Sequence, residues 1–250
     1  MKNRYFLKLA FDGTRYNGWQ VQKNAHSVQA EVNKALSTLL REEINTTGAG
    51  RTDTGVHAQL FFAHFDSSAT MDQTDCEQLA YKLNHLLPAD IAINGLYPVH
   101  QDAHARFDAV SRTYHYIICT QKDPFMTGRA WLIEQPLDLT SMQLAADHLL
   151  QHHDFSSFAK ANSQTKTNRC VVQQAFWHTE GNVVKFVISA DRFLRNMVRA
   201  ITGTLVDVGL GKLSPEDFDQ IITAKDRRKA GYSAPGHGLY LINIEYPYPY

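Results

Sequence analysis

The residues best suited to chemistry lie in segment 48–58, which reads Gly-Ala-Gly-Arg-Thr-Asp-Thr-Gly-Val-His-Ala. Its glycines indicate unusual backbone angles or the close approach of a ligand. The segment presents Arg51 and Asp53, and a neighbouring guanidinium favours the charged form of a carboxyl group. An ionised aspartate on such a loop can act as a nucleophile, as a base or as half of a structural ion pair. The residue types alone leave all three roles open.

The glycine spacing of this segment excludes two phosphate-binding motifs. The dinucleotide fingerprint has two residues between its second and third glycines, whereas four residues separate Gly50 from Gly55. A P-loop ends in Gly-Lys-Ser or Gly-Lys-Thr, and neither follows here. A surface turn remains the plain alternative for a glycine-rich stretch.

Basic residues form a second group of candidates. Arg192, Arg195 and Arg199 recur at helical spacing, which predicts one face of a helix over residues 193–208. Such a stripe is either a solvated face or a set of phosphate contacts. Gly203 predicts the close approach of another group, because glycine inside a helix costs about 1 kcal/mol relative to alanine. Further basic residues that could contact RNA phosphates are Arg227, Arg228, Lys225, Lys229, Lys160, Lys166 and Arg169.

The chain's 12 histidines raise the question of a metal site. His148, His152 and His153 followed by Asp154 resemble, weakly, the ligands of HD-type metal-dependent phosphohydrolases. No clear second set of His and Asp completes a metal shell. We therefore favour a polar helix end, where histidine suits the helix dipole, and predict no metal site.

The elements that must position these residues alternate along the chain. Helices are predicted from Ser27 to about Leu40, over residues 79–87, 140–150 and 193–208, and from Pro215. Strands are predicted over residues 5–11, 60–65, 91–97, 114–119, 171–178, 183–189 and 239–244. The Gly181-Asn182 pair indicates a hairpin, so the sheet should be antiparallel or mixed, with helices packed on it. The pattern predicts an α+β fold with two halves, residues 1–104 and 105–250.

Composition limits the class of protein. Of 250 residues, 44% are hydrophobic and 20% are charged, which is typical of a globular chain and excludes collagen and coiled coil. Lys and Arg number 25, as do Asp and Glu, so any polyanion site must be a local patch. The three cysteines form neither a CxxC pair nor a disulfide framework, and no apolar run reaches the ~18 residues of a membrane helix. These features predict a cytoplasmic protein with no membrane segment.

Seven segments together resemble the tRNA pseudouridine synthase A family. They follow the family's order over nearly the whole chain, and Gly-Ala-Gly-Arg-Thr-Asp-x-Gly-Val-His-Ala is the most specific of them. The segments are residues 11–20, 48–58, 83–91, 105–109, 112–116, 193–199 and 234–239.

The resemblance implies two ferredoxin-like (RRM-like) halves that form a central, mostly antiparallel sheet. It implies isomerisation of uridine to pseudouridine at positions 38–40 of the tRNA anticodon stem-loop, with no cofactor. A homodimer with tRNA as its partner is also implied. The alternative from another class is a non-catalytic RNA-binding module, which would not need Asp53.

The resemblance also assigns roles to residues. Asp53 matches the family's essential aspartate and Arg51 the arginine two residues before it. Tyr114 matches a tyrosine that contacts the target base, and Arg199 matches a basic residue that pairs with the aspartate. The chain departs from the family pattern at Thr54, where alanine is common, and at His115, where arginine is frequent.

Overall fold

The computed structural model describes residues 2–160 and 167–249, and the chain divides into two compact units. Unit 1 comprises Met1–Val110 and Leu241–Tyr250, and unit 2 comprises Ser111–Tyr240. Each unit contains helices and a mostly antiparallel sheet, which confirms the predicted fold class. The sequence-based division at residues 104 and 105 stays a prediction.

Unit 1 has four strands in the order β4-β1-β3-β9, with the short β2 beside β3. Both β3 and β4 pair antiparallel with β1. The elements are β1 (Asn3–Phe11), α1 (Val28–Leu40), β2 (Thr47–Gly48), β3 (His57–Ser67), α2 (Gln73–Leu86), β4 (Ile91–Val99) and β9 (Leu239–Glu245), which enters the unit at Leu241.

Local signals explain the helix boundaries in this unit. The Ser27 hydroxyl accepts a hydrogen bond from the Ala30 amide and starts α1, as predicted. A capping box between Asp72 and Asp75 starts α2, which ends before Pro88, also as predicted.

Apolar residues alternate along β1 at Tyr5, Leu7, Leu9 and Phe11, which predicts one buried face, but Phe6 on the opposite face is buried as well. Phe6, between the predicted apolar positions, is fully buried because Tyr246 packs edge-on against it with ring centroids 5.3 Å apart. Tyr246, which directly follows β9, therefore covers the part of the second face that holds Phe6.

Unit 2 has the strand order β5-β8-β7, with the short β6 parallel to β5. The hairpin predicted at Gly181-Asn182 joins β7 to β8, and Gly181 has the positive φ of 59° that such a turn requires. The elements are β5 (Ser111–Cys119), β6 (Trp131–Leu132), α3 (Leu139–His148), β7 (Val172–Glu180), β8 (Val183–Ala190), α4 (Met197–Gly209) and α5 (Pro215–Ala224).

The predicted start of α4 is wrong. The helix begins at Met197 rather than at residue 193, because Asn196 has a left-handed backbone conformation with φ 67°. Arg192 and Arg195 therefore precede the helix, and only Arg199 lies on it. The prediction that these three arginines share one helical face is corrected accordingly.

All three cysteines, at positions 76, 119 and 170, are buried and free of disulfides. Burial raises the pKa of the Cys76 thiol to about 11 and that of Cys170 to about 12. Among the described residues, no helix is long and apolar enough to cross a lipid bilayer.

Candidate active site

Asp53 lies on the loop between β2 and β3, and the backbone of this loop is anchored to the segment that follows β1. The Trp19 amide donates a hydrogen bond to the Thr52 hydroxyl at 2.9 Å, and the Gly55 amide donates to the Tyr16 carbonyl at 3.3 Å. The Val56 amide closes the turn on the Asp53 carbonyl at 3.2 Å. Asp53, between these anchors, is half-buried.

Close backbone approach explains two glycines that precede the loop in sequence. Gly18 has a φ of 83°, and a methyl group there would overlap the Thr52 carbonyl oxygen. A methyl group at Gly13 would likewise overlap the Val56 carbonyl oxygen. These glycines let residues 13–18 lie directly against the Asp53 loop.

The glycines of the loop itself differ in what they do. Gly55 has a φ of 76°, and a methyl group at Gly48 would overlap the Trp19 indole. A methyl group at Gly50 would meet no other group within 4 Å. The predicted unusual backbone angle is therefore confirmed for Gly55 but not for Gly50, whereas Gly48 makes room for the Trp19 side chain.

Buried aromatic rings support the loop from beneath. The Trp19 and Phe61 rings lie with centroids 4.4 Å apart, and Phe11 meets Phe61 edge-on at 5.6 Å. Trp19 is 2% exposed, so the amide that holds Thr52 belongs to a rigidly packed residue.

Asp90, at the end of the loop before β4, fixes the segment that carries Gly13 and Gly18. Its carboxylate accepts hydrogen bonds from the Tyr16 hydroxyl at 2.7 Å and from the Arg15 guanidinium at 2.6 Å. Burial acts to raise the pKa of Asp90, but these two donors outweigh it and hold that pKa below its usual value. Sequence reasoning missed Asp90, although it lies within the 83–91 motif.

Arg51 shares the loop with Asp53 but is exposed. The structure thus confirms that these two residues share one loop of unit 1, while their roles stay predictions.

Tyr114 and Arg199 belong to unit 2. Tyr114 lies on β5 opposite Ile188, and Phe193 meets its ring edge-on at 5.2 Å. Tyr114 is half-buried, and the perpendicular contact restricts its ring.

Arg199, in the first turn of α4, makes a reciprocal pair of hydrogen bonds with Ala234. Its Nε donates to the Ala234 carbonyl at 2.7 Å, and the Ala234 amide donates to the Arg199 carbonyl at 3.0 Å. One turn later, a methyl group at Gly203 would overlap the Tyr232 carbonyl oxygen. The predicted close approach at Gly203 is therefore confirmed, and the approaching group is backbone.

The chain is similar in sequence to known proteins over nearly its whole length. A family model described as tRNA pseudouridine synthase matches residues 145–247. The chain is 51% identical to tRNA pseudouridine synthase A of Bacteroides fragilis, over 98% of this chain and 96% of that protein. The chain belongs to the tRNA pseudouridine synthase A family. The protein of that name from Acetivibrio thermocellus is 40% identical, over 96% of this chain and 98% of that protein.

Membership of this synthase family confirms the resemblance deduced from the sequence motifs. The family match spans nearly the whole chain and so includes both units, with Asp53 and Arg51 in one and Tyr114 and Arg199 in the other. The interpretation of this chain as a tRNA pseudouridine synthase is thereby favoured over a non-catalytic RNA-binding module and over an HD-type phosphohydrolase.

The other predicted RNA-binding arginines differ in their surroundings. Arg195 is exposed and Arg192 is half-buried. The Arg228 side chain is 89% exposed and pairs with Asp226 at 2.7 Å. Arg227 is half-buried and donates hydrogen bonds to backbone carbonyls of its own segment. Lys166 lies outside the described residues.

Two of the histidines considered as metal ligands contact a carboxylate instead. His148 and His152 both face Asp219, with nitrogen–oxygen distances of 3.4 and 2.6 Å. Asp154 accepts from Ser156 and pairs with Lys225 at 3.1 Å. Within residues 2–160 and 167–249, no three His, Cys, Asp or Glu side chains are grouped as metal ligands would be.

Proposed function

We propose that this chain isomerises uridine to pseudouridine at positions 38–40 of the tRNA anticodon stem-loop. The observation that carries the proposal is the match to tRNA pseudouridine synthases A over 98% of the chain. The anchored Asp53 loop supports it, because a group that acts on a sugar or base must be held in a fixed position.

The reaction sets clear demands on the protein. The N1–C1′ bond of uridine breaks, C1′ bonds to C5 instead, and the proton lost from C5 is balanced by one gained at N1. Atoms and electrons balance without an external oxidant or reductant, so we propose that no cofactor is required. The enzyme must extrude the uridine, hold the detached base while it turns, and rejoin it.

Asp53 is the proposed catalytic residue. Its carboxylate would attack the sugar or the base, or would remove a sugar proton, and each role requires the ionised form. Arg51 and Arg199 are proposed to favour that form, since a guanidinium nearby stabilises a carboxylate.

Tyr114 is proposed to contact the extruded base. Stacking of a base on an aromatic ring contributes about 1–3 kcal/mol, which can offset the unstacking cost of extrusion. The edge-on contact with Phe193 supports this role because it limits the orientations of the tyrosine ring.

The proposal extends to the assembly and the compartment. We expect a homodimer in which one tRNA contacts both subunits, with Arg192, Arg195 and Arg228 as candidate contacts to phosphates. We expect it in the cytoplasm, and the three free, buried cysteines support a reducing compartment.

Tritium release from tRNA labelled at C5 of uridine tests the proposal. Wild-type protein at substoichiometric concentration should release tritium over many turnovers, whereas Asp53→Asn should lose about 10²–10⁴-fold or more in rate. Asp102→Asn is the matched control, because Asp102 is an exposed aspartate of the same unit. Tight tRNA binding without turnover would support a binding module instead, and full activity in the Asp53 variant would remove that residue from the mechanism.

A further inference from the structure

Residues 230–238, between α5 and β9, are tied to the rest of unit 2 at several separate points. The Gly231 amide donates to the Thr204 hydroxyl at 3.0 Å, and the Tyr116 hydroxyl donates to the Pro235 carbonyl at 2.8 Å. Ala234 makes its reciprocal pair with Arg199 between these two points. We call residues 230–234 the clamp segment.

Arg227 binds the clamp segment through three oxygen atoms. Its Nη1 donates to the carbonyls of Ala230 and Gly231 at 3.3 and 3.0 Å, and its Nη2 donates to the Ser233 hydroxyl at 3.1 Å. A planar guanidinium can hold several acceptors in a fixed arrangement, whereas a lysine ammonium is a point charge on a flexible chain.

The Ser233 hydroxyl links Arg227 to the beginning of α4. Its oxygen also accepts a hydrogen bond from the Asn196 side-chain amide at 2.6 Å. Both acceptor positions of that hydroxyl are thereby used. Asn196 is the left-handed residue at which α4 starts, and its side chain caps no amide of the helix.

The Arg199 guanidinium takes its direction from the same segment. Its Nε points at the Ala234 carbonyl, and Ala234 directly follows Ser233. A shift of the clamp segment would therefore move the acceptor that fixes the Arg199 side chain. Gly203 permits this arrangement, because any larger residue would push the Tyr232 carbonyl away from α4.

We propose that Arg227 is a positioning residue: with Ser233 and Asn196 it holds the clamp segment on the first turn of α4 and so orients Arg199. This inference rests on the proposed function, in which Arg199 favours the charged form of Asp53. It assigns Arg227 a role different from the phosphate contact considered from the sequence, and the two roles give opposite results in kinetic and binding experiments.

The primary variant is Arg227→Lys, which keeps the charge but cannot reproduce three fixed hydrogen bonds. The single-turnover rate with saturating enzyme should fall about 10- to 100-fold, the scale that a small misplacement of an active-site group costs. The Kd for tRNA and its dependence on salt should stay at the wild-type values.

Arg4→Lys is the matched control for stability. Arg4 also donates to a carboxylate and a backbone carbonyl, those of Asp66 and Ala103, but it lies in unit 1. Both lysine variants should lower the midpoint of thermal unfolding, and only Arg227→Lys should lower the rate measured well below that midpoint. Equal rates in the two variants would overturn the proposal.

Two further substitutions test the linkage through Ser233. Asn196→Gly keeps the left-handed backbone accessible and removes only the side-chain donor, and Ser233→Ala removes the shared acceptor. Both should reduce the single-turnover rate, as Arg227→Lys does, and should leave the Kd for tRNA unchanged.

If Arg227→Ala instead weakens tRNA binding, lowers the salt slope by about 1 and leaves the saturated rate intact, Arg227 is a phosphate contact and the proposal fails. Absence of turnover in the wild-type protein would contradict the proposed function itself and would be seen before any variant is compared.

Discussion

At the scale of single residues, Asp53 owes its position to neighbours outside its own loop. The Thr52 hydroxyl next to it accepts the Trp19 amide, and Gly18 lets the two backbones meet. Residues 11–20 therefore support the loop that carries Asp53.

Thr52→Val should test that support. The substitution keeps the side-chain shape but leaves the Trp19 amide without its acceptor, which costs about 1–2 kcal/mol of unfolding free energy. We expect the single-turnover rate to fall about tenfold or more as the loop loses its anchor. Thr54→Val is the control, because Thr54 is exposed and should change stability by less than about 0.5 kcal/mol. Equal effects of the two valines would contradict this account of the loop.

His64 is a second residue for which the structure predicts a measurable effect, in this case on how the free energy of unfolding depends on pH. It is 6% exposed on β3, and its Nδ1 accepts the Ala105 amide at 3.1 Å. Burial, with Arg4 adding to it, lowers the pKa of His64 to about 4. The unfolded chain, with a histidine pKa near 6.5, therefore binds the proton more strongly between these values.

The stability that neutral His64 confers should be complete above about pH 6.5 and should disappear as the pH falls toward 4. The predicted loss between about pH 7 and pH 4.5 is about 2 kcal/mol, and urea unfolding at intervals across that range measures it. His64→Gln retains an acceptor for Ala105 and does not titrate, so its profile should be flatter. Asp66, His104 and Asp108 also have lowered pKa values and are present in both proteins, so the difference between the profiles reports the loss of His64. Parallel profiles would show that His64 does not titrate as described.

At the scale of elements, the position of α4 is fixed by the segment that packs against it. The helix is almost wholly buried, and the carbonyl of Tyr232 occupies the space where Gly203 lacks a side chain. Its first turn carries Arg199, so the contacts that place α4 also place a residue of the proposed site.

Substitution of two glycines in this helix should separate backbone contact from helix propensity. Gly203→Ala should destabilise unit 2 by about 3 kcal/mol or more, because neither backbone can yield easily. A methyl group at Gly209 meets the flexible end of Met142, and helix propensity favours alanine, so Gly209→Ala should stay within about 1 kcal/mol of wild type. Chemical denaturation measures both, and a neutral Gly203→Ala would contradict the close approach.

At the scale of the whole molecule, the formal net charge is zero, but the charged residues are unevenly distributed between the two units. Unit 1 has 10 Lys and Arg against 13 Asp and Glu, whereas unit 2 has 15 against 12. The excess positive charge therefore lies in the unit that contains Arg192, Arg195 and Arg199. Neutral chains can bind polyanions through such a local excess.

Binding of tRNA should accordingly weaken as salt is added. Three phosphate contacts alone would reduce affinity roughly 40-fold between about 50 and 200 mM salt. Arg195→Gln should lower the log–log slope by about 1, whereas Lys34→Gln, an exposed residue on α1 of unit 1, should leave it unchanged. Filter binding or fluorescence anisotropy across a salt series measures the slope, and a flat response would exclude backbone contacts by these arginines.

The sequence by itself determined most elements of this protein, since the period of apolar residues, the cap at Ser27 and the helix start at Pro215 are local signals. It also identified the family, because seven motifs in order carry more information than any one of them. It placed Arg51 and Asp53 on one loop because they are two positions apart.

Only the tertiary structure decided where α4 begins and what Arg227 contacts. Asn196 is held left-handed beside Ser233, a residue 37 positions later, and no periodicity within residues 193–208 could reveal that hydrogen bond. Arg227 likewise looks like any exposed basic residue until the carbonyls of the clamp segment are seen around it. Hydrogen bonds between segments far apart in sequence form only where the folded chain brings those segments together. The sequence around each residue does not show which distant segment it will meet.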